Sequence, residues 1–356
     1  MLKLISRVPR YCLYRWTGWP QQMPMNLTFS VTSRCNSRCR TCNIHKMRSE
    51  ELSLNEWEKI FRNIGNTLFW ATMSGGEPFL REDLPDLVCK LYEHCRPSII
   101  NIPTNGILQE RIPRFVQKIA EHCSQADIVV NVSIDGIGDE HDEIRGIPGN
   151  YERVLETFHK LKELKRDNLA VGIHTVISRF NVSRIPEIYG QLRSLHPDSY
   201  ITEIAEERQE LNTIGADITP AERDYAAAVN FLSKQMKHGS YNKVGKLTRA
   251  FRTEYYQMVK KVLNEKRQVI PCYAGIASGQ IAPNGDVWMC CVKAESAGNL
   301  KEFEYDLSKV WFSEDAMKMR ADIKGGACYC PLANASYTNM LHHPKTLCRV
   351  CLNLAR

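Results

Sequence analysis

The sequence predicts an α/β fold, a partial (β/α)6 parallel barrel followed by a small C-terminal extension of different character. Three observations predict it. Between residues 26 and 210, six short apolar runs rich in β-branched and aromatic residues alternate with longer amphipathic stretches. Helices packed between parallel strands on right-handed crossovers require that alternation. After Pro271 it stops, and seven of the fourteen cysteines fall between Cys272 and Cys351.

Strands are expected at 25–32, 68–74, 98–104, 128–134, 169–177 and 199–205. Helices are expected at 55–65, 84–95, 112–123, 150–165 and 185–195, the first opened by Ser53 with Glu56 three residues on, a capping box. Such a sheet curls into a partial barrel whose chemistry sits at the C-terminal ends of its strands. A further helical region follows at 219–268, started by Thr219-Pro220-Ala221-Glu222. Residues 276–291 read as a hairpin, because Asn284-Gly285 separates two alternating runs. Beyond 326 the chain reads as irregular, as metal-held segments often are. The expected units are a basic N-terminal segment at 1–24, the barrel at 25–210, a helical connection at 211–270 and the extension at 271–356.

Composition narrows the function classes. With 43% hydrophobic and 24% charged residues, the chain of 356 has the balance of a globular protein, and no apolar run reaches the roughly 18 residues of a membrane span. No secretion signal is legible, so a cytoplasmic setting is expected, where thiols stay reduced and clustered cysteines imply metal ligation. Cys12, Cys89, Cys95 and Cys123 are scattered and read as small apolar fillers. Residues 1–49 hold nine Lys or Arg and no acid. A solvated basic face accounts for this. So does an anionic partner, either a phosphorylated substrate or an acidic membrane on which Tyr14, Trp16 and Trp19 could rest in peripheral contact. No nucleic-acid-binding module is legible, and nucleic acid is not expected as a partner.

Cys35, Cys39 and Cys42 form a C-x3-C-x2-C set directly after the first strand. Three thiolates on one loop can wrap around a single cluster, with Arg34, Arg38 and Arg40 offsetting its charge. A [4Fe–4S] cubane usually takes four cysteines, so three leave one iron open to a chelating ligand. A zinc knuckle with His45 as fourth ligand is the competing reading. Gly75-Gly76-Glu77, taken alone, reads as a strand-to-helix turn whose glycines tolerate unusual backbone angles.

Taken with its neighbours, the trio resembles the radical S-adenosylmethionine (SAM) superfamily. That family places C-x3-C-x2-C after the first barrel strand and Gly-Gly-Glu-Pro at the end of the second, as at Gly75, Gly76, Glu77 and Pro78. It often shows Thr-Asn-Gly after the third strand, as at Thr104 to Gly106, and Ser-Ile-Asp-Gly followed by Arg-Gly after the fourth, as at Ser133 to Gly136 and Arg145-Gly146. The resemblance covers 25 to about 210 and displaces the zinc reading of the trio. It implies a SAM-binding [4Fe–4S] cluster on Cys35, Cys39 and Cys42. It also implies SAM held by Gly75, Gly76, Glu77, Asn105, Ser133 and Arg145, with the guanidinium of Arg145 on the SAM carboxylate. The reaction it implies is reductive cleavage of SAM to methionine and a 5′-deoxyadenosyl radical, which takes a hydrogen atom from an unactivated C–H bond. Electrons would come from a flavodoxin- or ferredoxin-type donor.

The later cysteines resemble the SPASM/twitch extension of the same superfamily. This implies an auxiliary [4Fe–4S] cluster on Cys272, Cys290, Cys328 and Cys330. Cys291, adjacent to Cys290, faces the other way along a strand. Cys348 and Cys351 stay open to a second cluster, to replacing part of that set, or to zinc. Peptide-modifying relatives often carry an N-terminal recognition domain of about 80 residues. Here 24 residues precede the first strand. The expected substrate is therefore a small molecule or a carbohydrate- or lipid-linked compound, undergoing oxidation or epimerisation. A peptide- or protein-modifying maturase is the alternative, and a non-catalytic iron–sulfur or zinc-binding scaffold is the alternative of another class.

Overall fold

The computed structural model describes residues 6–237, 243–326 and 328–355. All six expected barrel strands form: β1 (Asn26–Thr32), β2 (Trp70–Gly75), β3 (Ile99–Thr104), β4 (Asp127–Ser133), β5 (Leu169–Ile177) and β6 (Ser199–Ile204). They lie side by side in chain order and all run parallel. A basic helix α1 (Val8–Thr17) precedes them. The crossovers carry α2 (Leu54–Ile64), α3 (Leu84–Cys95), α4 (Arg111–His122), the short α5 (Asp139–Arg145), α6 (Asn150–Glu163) and α7 (Ile185–Ser194). The capping box at Ser53 and Glu56 forms in both directions.

β1 shows why the sheet curls around a site rather than a core. Leu27, Phe29 and Val31 are fully buried on its outer face, and the Phe29 ring meets Trp57 and Phe61 of α2 edge-on at 5.9 and 5.4 Å. The alternate residues Asn26, Thr28, Ser30 and Thr32 are buried too, but they are polar and line the lumen. Across the lumen face Asn131 of β4 donates to Asn101 of β3 at 2.8 Å. A buried polar face persists only where its groups find partners.

Two helices, α8 (Glu222–Lys237) and α9 (Lys243–Glu265), fill the expected helical region, whose residues 238–242 lie outside the described residues. α9 packs on β6, where the Tyr256 and Thr202 hydroxyls bond at 2.8 Å and Arg252 donates to Thr202 O. The expected hairpin forms as β7 (Ser278–Ile281) and β8 (Asp286–Trp288), joined by an additional strand β9 (Ser296–Asn299). β7 runs parallel to β1, from Asn26↔Ser278 to Phe29↔Ile281, so the extension prolongs the barrel sheet. Helices α10 (Leu307–Trp311) and α11 (Glu314–Gly325) cover it.

The region beyond 326 departs from the expected irregular tail. It contains α12 (Ala333–Leu341) and α13 (Pro344–Ala355). α12 is held by polar pairing: Asn26 donates to Asn334 Oδ1 at 3.0 Å and to Thr338 Oγ1 at 3.1 Å, and Asn334 donates to Thr28 Oγ1 at 2.9 Å. On its other side Ala333, Tyr337 and Met340, at helical spacing, pack with Tyr255 in a second core, a short stripe set among polar residues.

Candidate cluster and cofactor site

The cysteine loop leaves the sheet at the C-terminal end of β1, and the glycine turn after β2 lies directly against it. Gly76 N donates to Thr32 O and Glu77 N to Arg34 O, both at 2.8 Å. A Cβ on Gly75 would meet Thr32 O at 2.2 Å, and one on Gly76 would meet Arg34 O at 2.1 Å. Gly75 also has φ +137°, which side chains rarely adopt. The glycines therefore permit a backbone-to-backbone contact with the cysteine loop, a demand additional to the room that SAM would need.

Glu77 points inward rather than into the mouth of the barrel. It is 1% exposed and accepts from Thr104 Oγ1 at 2.9 Å, Asn105 N at 2.7 Å and Phe79 N at 3.2 Å. Burial pushes its carboxyl up to about 7 against the pull of these donors. It ties the loop after β2 to the loop after β3. Asn105 carries the brace onward, donating to Asn36 Oδ1 at 2.8 Å with its amide 3.9 Å from Cys35 Sγ.

Arg145, at the end of α5, closes the other side. Its Nε lies 2.9 Å from Asp135 Oδ2, its Nη1 donates to Cys39 Sγ at 3.6 Å, and its carbonyl accepts from Ser37 Oγ and Arg38 N at 3.0 Å each. Asp135 in turn accepts from Val176 N at 2.8 Å. Ser133 ends β4 half-buried, opposite His174 of β5. The charge pattern differs from the expectation that Arg34, Arg38 and Arg40 serve the thiols. Arg34 is bound to Glu51 through two 3.0 Å bonds, and Arg40 stacks 3.7 Å over the Phe180 ring. The cations that act on the thiols are Arg145 beside Cys35 and Cys39, and Arg208 toward Cys42. Burial still dominates, pushing Cys35 up to about 11 and Cys42 up to about 12.

The buried thiols of the extension act on one another through their charge: Cys328 raises Cys272, Cys272 and Cys328 raise Cys290, and Cys272 and Cys290 raise Cys330. Cys291 lies in the same neighbourhood, where burial, Glu210, Cys290 and Cys330 raise it and Arg208 opposes them, while Cys348 and Cys351 are exposed on α13.

A strap between the two regions was not anticipated. In the loop after β6, Leu211 O and Asn212 O accept from Asn43 N at 3.0 Å and Asn43 Nδ2 at 2.9 Å, one residue past Cys42. Gln209 N donates to Val292 O at 3.1 Å, one residue past Cys291. Gln280 of β7 donates to Ser30 Oγ at 2.9 Å and to Glu210 Oε1 at 2.7 Å. Arg208, Glu210 and Gln280 carry no motif, and only the three-dimensional fold brings them together. No sequence signal could have found them.

The arrangement fits a multinuclear cluster with a small-molecule ligand. Three thiols share one braced loop, a guanidinium reaches one of them, and a polar lumen opens beside it. Among the described residues no three His, Cys, Asp or Glu side chains converge as a single metal ion requires.

The family model of the radical SAM superfamily matches residues 29–192, and that of an iron–sulfur cluster-binding domain, SPASM, matches 272–351. The chain belongs to the radical SAM superfamily. Its cofactors are [4Fe–4S] clusters and SAM, and it carries a SPASM-type extension. Among similar proteins, the antilisterial bacteriocin subtilosin biosynthesis protein AlbA of Bacillus subtilis is 23% identical, with 98% of this chain aligned to 76% of that protein. Fe-coproporphyrin III synthase of Methanosarcina barkeri is 30% identical over 47% of this chain and 40% of its own length. Streptococcus suis SuiB, crystallised with precursor peptide SuiA, shares the fold at TM-score 0.63 and 15% identity, over 90% of this chain and 70% of that one.

Proposed function

We propose that this radical SAM enzyme modifies a peptide, with Cys35, Cys39 and Cys42 holding the SAM-binding cluster and Cys272, Cys290, Cys328 and Cys330 an auxiliary one. The observation that carries the substrate class is the extent of the likeness to AlbA. It runs through the barrel and the extension alike, whereas the likeness to the coproporphyrin enzyme covers less than half of the chain. This shifts the balance from the small-molecule or carbohydrate-linked substrate that the sequence suggested to its alternative. The units proposed are the segment 1–24, the barrel 25–210, the helical connection 211–270 and the extension 271–356, working in the cytoplasm with a flavodoxin- or ferredoxin-type electron donor.

When bound, the cluster and SAM supply reductive sulfonium cleavage and hydrogen-atom abstraction. The chain's own part is positioning. Gly75 and Gly76 let the turn after β2 lie close beside the ligand and the cysteine loop. Asn105 and Ser133 offer polar contacts at the strand ends. Arg145, neutralised on one side by Asp135, presents its remaining N–H groups to a thiolate sulfur and to a ligand carboxylate. Glu77 holds two of these loops together from behind.

The test is anaerobic reconstitution followed by co-incubation with SAM, a reductant and peptides encoded by the small open reading frames flanking the gene. The expected result is 5′-deoxyadenosine formed in step with a hydrogen-depleted peptide in the mass spectrum. Turnover sustained by a sugar or lipid-linked fraction instead would return the reading to the small-molecule class.

A further inference from the structure

α1 has two unlike faces. Tyr11, Cys12, Tyr14 and Arg15 turn inward: Tyr11 OH donates to Met23 O at 2.8 Å, Cys12 Sγ to His342 O at 3.7 Å and Arg15 Nε to Cys272 O at 3.0 Å, while Tyr14 is buried. At 100° per residue, positions 9, 10, 13, 16 and 17 share the opposite arc. That arc is Pro9, Arg10, Leu13, Trp16 and Thr17, all exposed. Leu13 is 41% exposed, Trp16 78%, and Trp19, just past the helix, 72%. Two bare indoles beside a leucine are an unusual load for a surface facing only water.

We propose that this face of α1, with the Trp19 turn, docks the protein on an anionic lipid surface. Charge selects the occupant. No acid occurs before Glu50, Arg10 borders the apolar arc, and Lys324 of α11 donates to Trp16 O at 3.2 Å, adding a cation at the same spot. Indoles have an apolar body and an N–H edge, which suits the boundary between headgroups and acyl chains. Cationic helices with such a ridge lie in that boundary. No described helix is long and apolar enough to cross a membrane, so the contact is peripheral.

The position of the helix sets the orientation. α1 packs with Met25 and Ala277, the residues that lead into β1 and β7. It therefore sits at the N-terminal ends of the strands, whereas Cys35 to Cys42 follow the far end of β1, about 20 Å away along the strand. Docking through α1 leaves the mouth of the barrel open to the aqueous side. The inference does not depend on the peptide reading.

The test uses the full anaerobically prepared chain with vesicles of phosphatidylcholine alone and of phosphatidylcholine with phosphatidylglycerol. The expected result is co-sedimentation and a blue-shifted tryptophan emission with the anionic vesicles only, both weakening as salt is raised. Trp16→Ala with Trp19→Ala should lower vesicle affinity about tenfold or more. Arg10→Glu, which spares the indoles, should lower it about fivefold. Basal 5′-deoxyadenosine formation without vesicles should be unchanged in both. Equal binding to neutral vesicles, or vesicle binding untouched by both variants, overturns the proposal. So does a wild-type dimer that dissociates when the tryptophans are replaced, which would assign the face to a second copy of the chain.

Discussion

The two cysteine regions are assembled in opposite ways. Cys35, Cys39 and Cys42 occupy one eight-residue loop, whereas Cys272, Cys290, Cys328 and Cys330 are gathered from a segment of 59 residues. In the first, the thiols lie close along the chain, and the glycine turn, Asn105 and Arg145 fasten a loop that could already wrap. In the second, closing long loops costs more entropy, and one shared cluster would require β7, β8 and the helices behind them to bring the thiols together first. The first site is specified by its spacing and the second by its scaffold.

The largest expected effect tests whether the regions are separable. Cys39→Ala should abolish 5′-deoxyadenosine formation and the spectroscopic signal of the first cluster, while iron bound in the extension persists. Loss of all iron would show that the two regions fold around metal as one. Next, Cys290→Ala should remove the auxiliary signal and substrate turnover but spare slow SAM cleavage, and Cys348→Ala should change neither. The same loss in the Cys348 variant would move the ligand set onto α13.

A smaller effect concerns the brace. Gly76→Ala places a Cβ 2.1 Å from Arg34 O, so the cysteine loop must shift. Overpacking against backbone should cost about 2–3 kcal/mol in anaerobic denaturant titration, with weaker SAM binding. The smallest effect lies on the strap. Burial, together with the neighbouring carboxylates Glu203 and Glu210, lifts Glu206 to about 7, partly offset by Arg208. Its folded pKa exceeds its unfolded one, so the native state holds the proton more tightly. This side chain therefore subtracts nothing below the unfolded value near 4.5, and stability falls as pH rises toward about 7. Glu206→Gln should flatten that slope and raise stability above pH 7 by on the order of 1–2 kcal/mol, read as a higher thermal midpoint. An unchanged pH profile would mean that the carboxyl finds a partner once the clusters are loaded.

The same contrast explains what the sequence revealed. The six strands and the loops that carry motifs were legible because period-two and period-3.6 patterns and short spacings are local signals. The capping box at Ser53 was legible for the same reason. α12 was not, because its apolar stripe of Ala333, Tyr337 and Met340 is short and its other contacts, Asn334 and Thr338, answer Asn26 and Thr28 from the far end of the chain. β9 was not, because Ser-Ala-Gly-Asn has little strand character and Gly298 adopts φ +147°. Of the three arginines expected to offset charge around the first thiols, Arg34 and Arg40 turn elsewhere. Adjacency in sequence says nothing about where a long side chain finds its partner, and Glu51 and Phe180 engage two of the three.

The pairing of β7 with β1, and of α12 with the lumen, means that the extension cannot be detached. A fragment stopping at Pro271 would present a naked ladder of amide groups along β1. Inside, it would strand the amide of Asn26 and the hydroxyl of Thr28 without their C-terminal partners. Such a fragment is not a minimal barrel enzyme but a sticky, half-finished sheet, so the barrel and the module that completes it are kept or lost together.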